Sequence, residues 1–403
     1  MRRISILGST GSIGVSTLRL LEETGTPGED YVIETLVGGR NVELLAEQAL
    51  KFRPAMTVLA DAGQWQAFRD LIGNSGLNIA CGDDAVIEAA GRPADWVMAA
   101  IVGIAGLKPV WAAAGTGATV ALANKESLVC CGRALIDRAV AHGGRILPVD
   151  SEHNAIFQVL DARQADKVSK LTLTASGGPF HGRTRDELKS VTVEQALKHP
   201  NWAMGAKITI DSATLANKGL ELIEASYLFD MPSERIDVVV HPQSVIHSLV
   251  EYADGSSLAQ LGTPDMRVPI SYCLGWPDRM AWNAPKLDLV AKGRMTFHAP
   301  DLDAFPMLKL ARQALEAGNG LPIVFNAANE VCVQAFLDRR IGFLQIAEYV
   351  ETAMMRAQLP SKPSPVHASR DSRDDLHMVL ALDTDSAVRD LMQDLFITTR
   401  VGA

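Results

Sequence analysis

The first 150 residues alternate short, continuous runs of branched apolar residues with amphipathic stretches, and no other feature restricts the fold as strongly. The runs at 4–7, 31–37, 56–59, 95–100, 119–122 and 146–149 read as strands, while 42–52 and 64–72 carry apolar residues at helical spacing. A strand apolar on both faces must be covered on both, and strands separated by helices pair in parallel. The expectation is an α/β fold that opens with an N-terminal Rossmann-like parallel sheet. At 403 residues the chain exceeds one ordinary core, so further domains must follow.

The pattern changes after residue 150. Residues 168–175, 207–211, 238–241, 245–252 and 256–261 read as strands, the last two joined by the turn signal Ala253-Asp254-Gly255. An α+β domain over 151–276 is expected, with a hairpin able to pair across a two-fold axis. Pro264, Pro269, Pro277 and Pro285 break up a connecting region ending near 304, and helical periodicity from 305 suggests a C-terminal helical domain through 403. The domain plan is therefore 1–150, 151–276, a linker at 277–304, and 305–403.

Thirty-eight Lys plus Arg against 47 Asp plus Glu leave a net charge of -9, which argues against nucleic acid or an anionic membrane as the main partner. A local basic pocket for a small anion is compatible with that balance. The five cysteines form no C-x-x-C pair and no disulfide framework, as expected of reduced thiols. The apolar run after Met1-Arg2-Arg3 is too short for a signal peptide, and the glycine-interrupted stretch 96–107 is too short to span a bilayer. A cytoplasmic protein is expected.

Several segments carry chemistry. Gly8-Ser9-Thr10-Gly11-Ser12-Ile13-Gly14 follows a predicted strand and opens a helix predicted over 15–22, the context in which backbone N–H groups bind a pyrophosphate. A structural βα turn is the competing reading. The second strand leads into Val37-Gly38-Gly39-Arg40-Asn41 rather than into an acidic residue, so a cation and an amide are offered to a 2′-phosphate and NADP is favoured. Asp150 and Glu152 stand two apart at a strand end; in an extended segment both would face one ion, with His153 pointing away. Asn217 and Glu221 share one face of a helix predicted to open at Ser212, with Lys218 beside them. Each carboxylate alone would pass for a surface residue or a cap. Together, Asp150, Glu152 and Glu221 make a hard oxygen set suited to Mg²⁺ or Mn²⁺, and the Ser, Asn and Lys donors suit a phosphate. Ser176-Gly177-Gly178-Pro179 follows the strand at 168–175, and Asn124-Lys125-Glu126 follows the strand at 119–122. Lys198-His199-Pro200-Asn201-Trp202-Ala203-Met204-Gly205 sets Trp and Met in an otherwise polar loop, as a lid that expels water would.

Taken in order, these segments resemble the 1-deoxy-D-xylulose 5-phosphate reductoisomerase family. Gly8 to Gly14, Ala123 to Glu126, Asp150-Ser151-Glu152-His153, Ser176 to Phe180, His199-Pro200-Asn201-Trp202 and Asn217-Lys218-Gly219-Leu220-Glu221 match its patterns, and His241-Pro242-Gln243-Ser244 and Asn326-Ala327-Ala328-Asn329-Glu330 extend the match to the third domain. Ala203 falls where family members are expected to vary. The resemblance implies NADPH-dependent conversion of 1-deoxy-D-xylulose 5-phosphate to 2-C-methyl-D-erythritol 4-phosphate in isoprenoid synthesis, by a homodimer. It implies Asp150, Glu152 and Glu221 as ligands of Mg²⁺ or Mn²⁺. Ser176, Ser212, Asn217 and Lys218 would take the phosphate, and Lys125, Ser151 and His199 the carbon skeleton, with Glu152 and Glu221 also reaching substrate. Thr10, Gly11, Ser12, Ile13, Gly39, Arg40, Asn41, Asn124, Glu126 and Gly205 would line the cofactor. Lys125, Glu152 and His199 are the catalytic candidates, with proton transfer assigned to Lys125 or Glu152. The implied chemistry is a retro-aldol or concerted rearrangement of a hydroxyketone followed by hydride reduction of an aldehyde. The developing oxygen charge calls for a Lewis acid. A semialdehyde or phosphoglyceraldehyde dehydrogenase would need a nucleophilic cysteine early in the second domain, and none lies between Ser151 and Tyr272. A non-catalytic NADP sensor would have no use for the three carboxylates.

Overall fold

A computed structural model describes residues 1–202, 204–358 and 375–401. The chain forms two compact units: residues 1–127, 133–154 and 265–285 make the first, and 128–132, 155–264 and 286–403 the second.

The first unit is built on seven strands: β1 (Arg2–Leu7), β2 (Tyr31–Gly38), β3 (Met56–Leu59), β4 (Ile79–Cys81), β5 (Trp96–Ala99), β6 (Thr119–Leu122) and β7 (Arg145–Pro148). All pair in parallel, in the order β4-β3-β2-β1-β5-β6-β7. The chain winds outward from β1 to β4 and returns beside β1 as β5. That reversal opens a crevice at the carboxyl ends of β1 and β5, where such sheets bind ligands. Six of the strands carry the apolar signature expected; β4 is a three-residue edge strand, partly exposed and too short to announce itself.

The proline-rich stretch near 270 is not a plain connector. It holds the helix Arg267–Gly275, with Pro269 in the first turn, where a missing N–H breaks no helical bond. The segment is stitched into the first unit by Trp96 Nε1 donating to Cys273 O at 3.1 Å, the Cys273 thiol to Pro148 O at 3.1 Å, and Asn154 Nδ2 to Cys273 Sγ at 3.4 Å.

The second unit carries a mixed sheet of β8 (Val168–Ala175), β9 (Ile236–Val240), β10 (Ile246–Tyr252) and β11 (Ser257–Leu261), in the order β11-β10-β8-β9. β8 and β9 are parallel; β10 runs antiparallel to both β8 and β11. The hairpin turn is as expected, with Gly255 at φ +83° and Ser256 N–H donating to the Asp254 carboxylate at 2.9 Å. Residues 207–211 are not a strand. They lie in the helix Ala206–Thr214, where Thr209 bonds back to Gly205 O and Ile210 enters the core. Alternating β-branched residues favour a strand locally, but packing overrides so short a preference. Nor does Ser212 open the following helix: Leu215, at φ +63°, breaks the chain, and a second helix runs Ala216–Phe229. The helices Met307–Ala317, Leu321–Leu337, Phe343–Arg356 and Leu376–Val401 complete this unit; residues 359–374, 402 and 403 of the expected helical region lie outside the described residues. Leu171, Leu173, Leu220, Ile223, Val324 and Phe325 are buried together in its core.

Among the described residues no helix is long and apolar enough to cross a membrane. All five cysteines are free thiols.

Candidate active site

In the first unit the glycine turn lies at the sheet's reversal point. Gly8 has φ +94°, and a Cβ on it would stand 2.6 Å from Ala100 O, beyond the end of β5. A Cβ on Gly14 would stand 2.4 Å from Gly8 O. Gly11 is different: the nearest atom to its Cβ position is 3.5 Å away. Gly8 and Gly14 are therefore required by the turn itself, while Gly11, at the N-cap of the helix Ser12–Thr24, leaves its space for a ligand. No acidic residue lies in the first helical turn, so the exposed N–H groups keep their attraction for phosphate. Buried Gln48 braces the turn, its Nε2 donating to Ser9 O at 2.9 Å.

Arg40 and Asn41 follow β2 on the same rim. Arg40 is 90% exposed, with Nε 3.4 Å from Asp61. Asn41 caps the helix Val42–Phe52, accepting from Leu44 N–H at 3.1 Å. Asn124, at the end of β6, is buried. Its Nδ2 donates to Ile101 O and, at 2.9 Å, to Gly103 O, and its oxygen accepts from Ser127 N–H at 2.8 Å. That side chain clamps the loop after β5, so what it presents to a ligand is the loop and its own backbone.

Lys125 begins the helix Lys125–Cys131 and is buried, with Nζ 2.9 Å from Asp150 Oδ2. Asp150 and Glu152 do not sit on an extended segment. Ser151 starts the helix Ser151–Val159, and Asp150 Oδ1 accepts from Glu152 N–H at 3.2 Å as a cap would. The two side chains still offer carboxylate oxygens within 4.8 Å of each other, because the first helical turn folds Glu152 back over its cap. The same curvature brings His153 towards Asp150 rather than away from it: the buried ring places Nδ1 3.7 Å from Asp150 Oδ1. Ser151 Oγ donates to Glu152 Oε2 at 3.0 Å.

In the second unit Ser176 follows β8 directly. His199 Nδ1 accepts backbone N–H groups from Asn201 at 3.2 Å and Trp202 at 3.0 Å, so its proton resides on Nε2, which donates to Ser176 Oγ at 2.9 Å. Burial lowers the His199 pKa and favours this neutral ring. Ser176 Oγ accepts again from Gly178 N–H at 3.1 Å, which leaves its hydroxyl to act as a donor. Gly178, at φ +64°, has no room for a Cβ, which would stand 2.9 Å from Ser212 O. The Ser176 turn thus rests on the backbone of Ser212. Asn217 and Lys218 lie in the first turn of the helix Ala216–Phe229, and both donate to Glu221, one to each oxygen; Glu221 is fully buried.

The loop from Lys198 to Gly205 is held at Asn201, whose Nδ2 donates to Pro242 O at 2.7 Å and to Ser244 Oγ at 3.0 Å. Trp202 is half-buried, its ring 6.4 Å from that of His247. Ala203 lies outside the described residues. Sequence reasoning attached no role to His153, Asp211 or Asn329. At Asn329 the only signal was a polar side chain within a segment of helical periodicity; Asp211 reads as part of a strand and His153 as part of an extended segment.

Family models match three stretches of the chain: "1-deoxy-D-xylulose 5-phosphate reductoisomerase" at residues 4–132, the "1-deoxy-D-xylulose 5-phosphate reductoisomerase C-terminal domain" at 146–229, and the "DXP reductoisomerase C-terminal domain" at 261–390. Over 355 residues, 88% of each chain, the sequence is 58% identical to the 1-deoxy-D-xylulose 5-phosphate reductoisomerase of Caulobacter vibrioides. It is 55% identical over 360 residues to that of Rhodospirillum centenum, covering 89% of this chain and 88% of the relative. Among solved structures, the Zymomonas mobilis enzyme in complex with NADPH matches with a TM-score of 0.85 at 46% identity, covering 97% of this chain and 99% of that one. A reductoisomerase in complex with NADPH, fosmidomycin and magnesium matches with a TM-score of 0.91 at 42% identity, covering 99% of both.

Proposed function

The chain belongs to the 1-deoxy-D-xylulose 5-phosphate reductoisomerase family, and from that premise we propose how its residues divide the work. It is an NADPH- and divalent-metal-dependent enzyme that rearranges and reduces 1-deoxy-D-xylulose 5-phosphate to 2-C-methyl-D-erythritol 4-phosphate. The observation that carries the assignment is identity above one half over nearly nine-tenths of curated relatives.

We assign the metal to Asp150, Glu152 and Glu221, a donor set of hard oxygens that fits magnesium. Asp150 bonds Lys125 Nζ and the Glu152 backbone N–H, contacts that hold its carboxylate in place. When bound, the ion supplies Lewis acidity to the substrate oxygens and NADPH supplies the hydride. Ser176, Ser212, Asn217 and Lys218 receive the phosphate. His199 leaves the Ser176 hydroxyl to donate, and Asn217 and Lys218, which both bond Glu221, tie the phosphate donors to a residue that would hold the metal. Lys125, Ser151 and His199 contact the carbon skeleton, and Lys125 or Glu152 moves the proton. The crevice beside β1 takes NADPH along Thr10, Gly11, Ser12 and Ile13, with Gly39, Arg40 and Asn41 for the 2′-phosphate; Asn124, Glu126 and Gly205 are assigned to the cofactor as well. The loop from Lys198 to Gly205 excludes water from the intermediate.

The finer organisation belongs to the same proposal: a cofactor domain over 1–150, a catalytic domain over 151–276, a linker, and a helical domain over 305–403. A homodimer is supported by β11, an edge strand with Leu258 and Leu261 exposed, which a second copy would cover. Five free thiols agree with a cytoplasmic setting and a role in isoprenoid precursor synthesis there.

The test is NADPH absorbance loss on adding 1-deoxy-D-xylulose 5-phosphate, with magnesium and with chelator, for the native chain and Glu221→Gln. Metal-dependent oxidation that is largely lost in the variant is expected. Equal rates with chelator would remove the three carboxylates from the mechanism.

A further inference from the structure

The motif Asn326-Ala327-Ala328-Asn329-Glu330 has no part in the assignments above, although it buries two amides completely on the largely apolar helix Leu321–Leu337. Asn329 Nδ2 donates to Asp211 Oδ1 at 2.8 Å, and Lys207 Nζ lies 2.9 Å from Asp211 Oδ2. Asp211 is itself buried, one residue before Ser212, and its helix Ala206–Thr214 packs on Leu321–Leu337. The other half of the Asn329 amide, Oδ1, finds no hydrogen-bond partner among the described residues. A buried amide left half unsatisfied is destabilising relative to a leucine of similar volume, so packing alone does not account for it. What the amide does is hold one oxygen of Asp211 while Lys207 holds the other.

The consequence reaches the phosphate donors. Ser212 follows Asp211 in the same helix, and the Ser176 turn rests on Ser212 through Gly178, where a Cβ would stand 3.0 Å from Ala213 Cα. A tilt or rotation of Ala206–Thr214 therefore moves both hydroxyls, and Leu215 then leads directly to Asn217 and Lys218. We propose that Asn329 is a positioning residue for phosphate recognition: through Asp211 it sets the helix that carries Ser212 and supports the Ser176 turn. The proposal rests on the assignment of Ser176, Ser212, Asn217 and Lys218 to the substrate phosphate. Asn329 never touches substrate.

The experiment compares the native chain with Asn329→Leu, Asn329→Asp, Asn329→Ser and the exchange Asp211→Asn/Asn329→Asp. It reads the KM for 1-deoxy-D-xylulose 5-phosphate, the KM for NADPH, and the rise in melting temperature on adding inorganic phosphate. Leu and Asp at 329 are expected to raise the substrate KM about tenfold, the loss of one net hydrogen bond, and to diminish the phosphate-induced rise. NADPH KM should rise clearly less than the substrate KM, because of the residues assigned to the cofactor only Gly205, the N-cap of this helix, lies in the second unit. The exchange restores one donor facing one acceptor and should return the substrate KM towards native. If the larger changes prevent folding, Asn329→Ser, which shortens the donor, should still raise the substrate KM. An unchanged substrate KM beside a lowered melting temperature, or equal rises in both KM values, overturns the proposal. If the native chain does not turn over the substrate, the functional reading itself fails, and the phosphate-induced melting shift still decides the role of Asn329.

Discussion

Lys125 Nζ lies 2.9 Å from Asp150 Oδ2, and both side chains are largely buried although they are 25 residues apart in sequence. The ammonium leaves the end of β6 and the carboxylate leaves the end of β7. These strands are neighbours in the sheet, with Leu122 opposite Pro148. The pairing of two strands thus places a cation against a carboxylate that we assign to the metal, where it would offset the excess negative charge of three carboxylates around a dication.

Lys125→Met keeps the length and apolar stem of the side chain while removing its charge and its protons. If Lys125 moves the proton, turnover should fall by roughly 10²-fold or more, the usual contribution of a positioned acid or base. NADPH affinity should change less than about threefold. Steady-state kinetics with NADPH varied separately checks this, and equal losses would return the proton to Glu152.

The three glycines of the first turn should respond differently. Gly11→Ala meets nothing closer than 3.5 Å, so the variant should fold with an unchanged melting temperature. Its new methyl group occupies the approach of the pyrophosphate, so NADPH affinity should drop by about tenfold or more. Gly8→Ala must fit a Cβ 2.6 Å from Ala100 O at φ +94° and should lose stability itself. Thermal denaturation beside NADPH fluorescence titration separates the two outcomes.

Acid should loosen the loop at His199. Burial holds the ring's pKa below the usual 6.5, and Nδ1 is occupied by two backbone donors, so a proton there breaks both bonds. A lowered folded pKa means that the loosened loop takes up the proton first. Closure is therefore fully favoured above pH 6.5 and weakens as pH falls through and below that value. Substrate KM should rise on that acid side, with a parallel change in Trp202 fluorescence. His199→Gln should flatten this limb of the profile.

Glu34 contributes to stability through two arginines. It is buried on β2 and accepts from Arg3 Nη2 at 2.7 Å and Arg92 Nε at 2.7 Å. Burial alone would raise its pKa, but the bonds and charges of the two arginines outweigh that and hold it below the usual 4.5. With a depressed folded pKa, the stabilisation is complete above pH 4.5 and is lost as pH falls through the lowered value. Glu34→Ala should cost about 2 kcal/mol at pH 7, since both arginines remain partly exposed and can be rehydrated. Urea denaturation of the variant beside the native chain measures it.

Much of this protein is legible one segment at a time. An apolar run closed by a glycine turn specifies a strand, a turn and a helix start without help from the rest of the chain, because steric limits and backbone hydrogen bonding act over a few residues. For that reason the Gly8 turn, the β6–Asn124 junction, the Ser176 turn and the Asp254 hairpin could be placed correctly. The shared face of Asn217 and Glu221 follows equally from helical spacing, whichever residue opens the helix.

The sequence determined which groups were available: three carboxylates, a set of hydroxyl, amide and ammonium donors, and a glycine turn after the first strand. Tertiary structure decided their geometry wherever the local preference was weak. Residues 207–211 read as a strand in isolation but lie in a helix, because Ile210 packs into the core and Asp211 is held from a helix more than a hundred residues away. Asp150 and Glu152 looked like neighbours on an extended face, yet a helix starts between them and turns His153 inward. Local propensities differ by about 1 kcal/mol or less per residue, whereas fully burying an apolar side chain such as Ile210 is worth about 1.5–3 kcal/mol, so contacts between distant segments prevail.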